Sequence, residues 1–122
     1  MRLYNEKEIK LINIQIGCIL RLARLKKGLS QHDLSLLLGS NPTMIGRIER
    51  FENSCSWDKI YSISLLLEIN FIELFTLKSK DELLSIIEES LTLEGKLTLD
   101  KRKYYNILKS TITKEYSLLK NK

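Results

Sequence analysis

A chain of 122 residues, 43% hydrophobic and 29% charged, has the make-up of one globular domain with room for an appendage, not of a disordered chain. Its net charge of +5 is compatible with nucleic acid as a partner without requiring it. It holds no apolar run of the ~18–20 residues needed to cross a bilayer, and the mixed charges of its first ten residues do not make a secretory signal, so a cytoplasmic protein without a membrane partner is expected.

With only 5 Gly and 1 Pro, the chain reads as helical throughout. Ile12, Ile16, Ile19, Leu20, Ala23 and Leu25 recur at helical spacing up to Lys27, with basic residues on much of the remaining face. Asn5 and Glu8 have capping-box spacing and would start this helix earlier, and Gly28 stops it. Ser30 and Asp33 form a second capping box before Leu34, Leu37 and Leu38, and Gly39 ends that helix. Asn41-Pro42 opens a third helix, since proline at the first helical position loses no hydrogen bond. It runs to about Phe51, with Ile45 and Ile48 inward.

Ser56 is placed to cap a fourth helix from Trp57 to about Glu68, and Trp57 is read as packing on the core edge. Asn70 and Glu73 are placed to cap a fifth, from Phe71 to about Leu77. Asp81 to about Leu91 gives a sixth, with Leu83, Leu84, Ile87 and Leu91 on one side. The stretch 91–99, LTLEGKLTL, alternates apolar and polar residues around Gly95 and reads as a loop in preference to a β-hairpin. A long last helix from about Asp100 to Lys120 carries Tyr105, Leu108, Ile112, Tyr116 and Leu119 in a heptad-like stripe, read here as a dimer seam in preference to packing within the chain.

Catalytic and metal chemistry find little support. Cys18 and Cys55 are distant, no CxxC pair occurs, and His32 is the single histidine, so the ligands of a zinc site are lacking. The two thiols read as small buried hydrophobes. No nucleophile with a base partner stands out, and no cofactor motif is present, so neither an enzyme nor a cofactor is expected. Charge is unevenly spread: residues 1–28 carry 7 basic and 2 acidic residues, 29–77 carry 3 and 6, and 78–122 carry 10 and 7. The Lys101-Arg102-Lys103 run reads as a solvated helix face, and His32 as a surface residue.

Five short helices within about 11–77, with the second and third joined by Gly39-Ser40-Asn41, have the layout of a helix-turn-helix. Gly17, Leu20, Arg24, Gly28-Leu29-Ser30-Gln31, Leu34, Gly39 and Ile45-Gly46-Arg47-Ile48-Glu49 carry a resemblance to the lambda repressor and Cro-type (XRE family) regulators. Ile60, Ile63, Leu66, Ile69 and Leu74 continue it. The resemblance implies an all-α fold: a five-helix lambda repressor-like DNA-binding domain over residues 11–77. A two-helix C-terminal extension over 78–122 follows as a candidate dimerisation element. The chain departs from the family pattern at Ser40 and Gly46, and at Phe51, where the family usually has glycine.

The resemblance makes the third helix the recognition helix. Asn41, Pro42, Thr43, Met44, Gly46 and Arg47 are expected on its outward face, with Thr43 and Arg47 suited to base edges or phosphate. Gln31, Arg47, Arg50, Asn53 and Ser54 are expected at the DNA backbone. Arg24 and Glu49 correspond to a pair that in this family forms a structural salt bridge. The function implied is a sequence-specific regulator of transcription, most readily a repressor, binding double-stranded DNA as a homodimer through residues 78–122 on a pseudo-palindromic operator. The alternative is a protein-interaction module, such as an antitoxin that holds a protein partner through its C-terminal helices.

Overall fold

The computed structural model describes residues 6–52 and 56–120, and among these the chain forms helices and no strands. They are α1 (Glu6–Lys26), α2 (Gln31–Leu38), α3 (Pro42–Glu49), α4 (Trp57–Leu66), α5 (Phe71–Leu74), α6 (Lys80–Leu93) and α7 (Leu99–Lys120). Asn5, Asn53, Ser54 and Cys55 lie outside the described residues, so the readings placed on them have no structural counterpart here.

Local signals account for most of the boundaries. The Ser30 hydroxyl accepts from the Asp33 N–H while the Asp33 carboxylate accepts from the Ser30 N–H, closing a capping box on α2. Ser79 and Glu82 do the same for α6. The Asn41 side chain accepts from the Met44 N–H at 2.9 Å, with Pro42 behind it at the start of α3. Ser56 behaves differently from the expectation. Its side chain makes no cap bond but hydrogen-bonds the Asp58 carboxylate, which holds Asp58 below its ordinary pKa. The 91–99 stretch splits: α6 continues to Leu93, and the rest is an irregular turn into α7.

Two buried clusters share α1. On one side Ile16 and Leu20 pack with Leu34, Ile45, Ile48, Ile60, Ile63 and Leu74 from α2–α5. On the other, Leu11, Ile14 and Cys18 pack with Leu83 and Ile87 of α6 and with Tyr105, Leu108, Ile112 and Tyr116 of α7. This overturns the dimer-seam reading of the α7 stripe: those four α7 side chains are buried inside their own chain. The basic face read on α1 is likewise not solvated throughout, because Arg21 and Arg24 are both buried. A helix with neighbours on both flanks has no free polar face at its centre.

Polar side chains fasten the two clusters together. Gln15 is fully buried, and its Nε2 donates to the carbonyl oxygens of Leu74 at 3.1 Å and Thr76 at 2.9 Å. Its Oε1 accepts from the Lys78 N–H at 2.8 Å, so one side chain anchors the connector from α5 to α6. The Tyr116 hydroxyl donates to the Lys78 carbonyl, and Lys10 pairs with Glu115 of α7 at 2.9 Å.

Candidate nucleic-acid interface

The turn Gly39–Asn41 sets α3 against α2. Gly39 has φ 65°, and the Ser40 N–H returns to the Ser35 carbonyl at 2.8 Å, a left-handed helix end that glycine adopts without steric cost. Ile45 and Ile48 anchor α3 in the core and leave its start outward. Asn41, Pro42, Thr43, Arg47 and Arg50 are exposed together on this face, and Gln31 is half-buried beside them. The residues expected at the outward surface are therefore largely brought together, with two corrections.

Gly46 is buried, not outward: the Arg50 guanidinium lies over it, so a Cβ there would stand 2.9 Å from Arg50 Nη1. Met44 is half-buried against the core, and its sulfur accepts from the Ser40 hydroxyl at 3.2 Å. The exposed polar groups of α3 thus reduce to Asn41, Thr43 and Arg47. Of these Asn41 is partly engaged, because its Oδ1 serves the cap, and the neighbouring Arg50 pairs with Glu52 at 2.6 Å. Trp57 is 68% exposed and does not pack on the core edge; its ring neighbours Tyr61, with centroids 6.3 Å apart.

Behind this face lies a buried ionic cluster. Glu49 is 2% exposed. Arg24 meets it as a fork, Nε to Oε2 at 2.6 Å and Nη2 to Oε1 at 3.1 Å, and donates from Nη1 to the Leu29 carbonyl. Gln31 Nε2 donates to Glu49 Oε1 at 3.0 Å, so the side chain expected at a phosphate rests on the carboxylate.

Arg21 is the member that reading the sequence missed. Its Nη2 donates to the Glu49 carbonyl at 2.8 Å and the Tyr104 hydroxyl at 2.9 Å, and its guanidinium stands over the rings of Tyr104 and Tyr105. Nothing local in the sequence marks it, because its burial depends on α7. Two guanidiniums share one carboxylate, leaving the cluster cationic.

The end of α3 is also unusual. Phe51 has φ 51°, in the left-handed region, and the Glu52 N–H returns to the Arg47 carbonyl at 3.1 Å. The ring crosses to Gly17 of α1, where any Cβ would run into it and would stand 2.6 Å from the Glu49 carbonyl oxygen. Glycine at 17 is what lets α1 and the end of α3 approach so closely.

Other chemistry is sparse. Burial pushes the Cys18 thiol up to about 12, so it stays protonated and serves as core packing. Among the described residues, no group of three or more His, Cys, Asp or Glu is placed to hold a metal ion, and no helix is long and apolar enough to cross a membrane.

No curated protein and no solved structure matches the chain. Residues 20–74 match the family model described as Helix-turn-helix, which spans α2, the turn and α3 together with most of their packing partners. With that match joined to the all-helical fold and the outward start of α3, the protein carries a helix-turn-helix domain of the lambda repressor/Cro type, a family of DNA-binding regulators.

Proposed function

We propose that the protein is a sequence-specific transcriptional regulator that binds double-stranded DNA as a homodimer on a pseudo-palindromic operator and represses by occlusion. The observation that carries this reading is the exposed start of α3, which offers Thr43 and Arg47 beside the exposed Asn41 and Pro42 on a core-supported helix. A major groove accepts one helix in that presentation. Arg47 is the candidate for a guanine fork, and Thr43 for a base edge or a thymine methyl. Gln31 and Arg50 flank the helix on the backbone side. Gln31 reaches phosphate by exchanging its bond to Glu49.

Pairing of two copies draws on a different surface from the α7 stripe, which is consumed within the chain. Trp57, Tyr61 and Leu65 are exposed along α4, and Ile72 and Phe75 along α5. Phe71 joins them, with ring centroids 5.2 Å from Tyr61 and 5.0 Å from Phe75. Such a row is exposed apolar surface of the kind that marks a protein–protein interface, to which each partner contributes ~800 Å². A second copy of this chain is the occupant we assign.

Selection of bound duplexes from a random pool tests the reading, with Arg47→Ala run beside the wild type. An enriched inverted repeat that is lost or relaxed in the variant supports it. No enrichment by a folded protein overturns it, and leaves the protein-interaction reading, in which the C-terminal helices hold a protein partner.

A further inference from the structure

The segment that holds the recognition helix is a poor match for a polyanion. Residues 29–77 carry 3 basic and 6 acidic residues, and one of the cations, Arg50, is tied to Glu52. Binding to duplex DNA draws most of its affinity from neutralised phosphates. If the domain reads DNA as proposed above, the missing cations have to come from elsewhere in the fold.

The C-terminal extension supplies them at the right place. An open cleft of about 860 Å³ runs between the helix-turn-helix and the α6–α7 turn. One wall holds Gln31, His32, Pro42 and Arg50, which belong to or border the proposed DNA surface. The opposite wall is the turn itself, with Gly95, Lys96 and Lys101. Arg21, Arg24 and Glu49 also line it, with their net positive charge. Residues 94–103 carry Lys96, Lys101, Arg102 and Lys103 against Glu94 and Asp100, and all four cations are exposed. Glu94 accepts from the Tyr105 hydroxyl at 2.6 Å and pairs with Lys101 at 3.2 Å, so Lys101 reaches phosphate by exchanging that surface pair, as Arg50 must exchange its own. Lys101 and Arg102 stand in the first turn of α7, where cations oppose the helix dipole and only Asp100 suits it, so helix stability gives no reason for them.

We propose that the α6–α7 turn is a second DNA-contacting element, which lays Lys96 and Lys101 on backbone phosphates of the duplex that α3 reads. Arg102 and Lys103 extend the same positive edge. The arrangement rests on the DNA-binding reading and adds to it: the extension covers α1 and also lengthens the electrostatic footprint. Phosphate contacts of this kind carry no sequence information, so they raise affinity for all duplexes alike.

Binding to the selected duplex is measured against salt for the wild type, for Lys96→Gln/Lys101→Gln, and for Lys80→Gln/Lys114→Gln. The last pair removes the same charge at the far end of α6 and α7. Each lost phosphate contact lowers the slope of log K on log[salt] by about 0.9. The first variant should lose about 1.8 from the slope, and the control should keep the wild-type slope. Lys96→Gln alone, which leaves the Lys101–Glu94 pair intact, should lose about half as much and guards against a disturbed turn. Wild-type binding with unchanged slopes in both turn variants overturns this inference and spares the DNA-binding reading. Equal losses in turn and control variants also overturn it, because they report net charge alone. If the wild type binds no duplex, the regulator reading and this inference fall together.

Discussion

Arg21 of α1 donates through Nη2 to the hydroxyl of Tyr104 in α7 over 2.9 Å, and the same nitrogen reaches the Glu49 carbonyl at the end of α3. One buried cation therefore joins the end of α3 to α7. Arg21→Met should cost about 2–4 kcal/mol, because it strands a buried carbonyl and hydroxyl and removes a charge facing Glu49. Tyr104→Phe removes one hydrogen bond and should cost about 1 kcal/mol. Urea denaturation measures both, and equal losses would mean that Arg21 is not the junction.

The sharing of Glu49 sets an order among its partners. Glu49→Gln leaves two guanidiniums facing a neutral amide and should cost about 3–5 kcal/mol. Arg24→Met should cost less, since Arg21 Nε at 3.6 Å and Gln31 at 3.0 Å still face the carboxylate. Chemical unfolding of the two variants checks the order. An Arg24 variant as damaged as the Glu49 variant would show that Arg21 gives the carboxylate no support.

Among the described residues, two non-glycine residues end helices in the left-handed region, Phe51 at φ 51° and Glu68 at φ 60°. That conformation costs ~1–2 kcal/mol for a residue with a Cβ. The Glu68 side chain is 78% exposed and contributes only its pair with Lys27, worth less than ~1 kcal/mol at a surface. Glu68→Gly should therefore stabilise, by about 0.5 kcal/mol. Phe51→Gly should destabilise by about 1–3 kcal/mol, because the ring lost from the Leu11–Tyr116 cluster outweighs the strain relieved. Thermal melts give the two signs directly.

Acid should weaken the fold through its caps and ion pairs. Asp33 and Glu82 lie below their ordinary values of 3.8 and 4.5, chiefly because backbone N–H groups of Ser30 and Ser79 bond their carboxylates. Glu68 and Glu115 are lowered first by their bonds to Lys27 and Lys10. A depressed carboxylate contributes stability that is fully present above its unfolded pKa and is lost as pH falls through the lower folded value. Melting temperature should be flat on this account above about pH 6 and drop between about pH 5 and pH 2. Asp33→Asn/Glu82→Gln should make that drop shallower, and an unchanged drop would remove the caps from the account. At the other end, burial raises Tyr104 and Tyr116 above the ordinary 10.0. Their contribution is present below pH 10.0 and is lost as pH rises through the raised values.

Helix ends are legible in the order of residues alone, because neighbouring residues make them. Ser30 with Asp33, Asn41 with Pro42, and Gly39 set helix ends through bonds that span only a few residues, so their chemistry is legible in one dimension. The outward positions of Thr43 and Arg47 follow from the inward spacing of Ile45 and Ile48. Which surface each apolar or charged face meets depends instead on how the helices assemble. The Tyr105–Tyr116 stripe has the spacing of a seam, but spacing does not name a partner, and the partners are α1 and α6 of the same chain. Gly46 is covered by a side chain that folds back from Arg50. Arg21 reads as one more surface cation until α3 and α7 close around it. Burial is a property of assembled elements: periodicity marks a face for burial but does not say which element covers it.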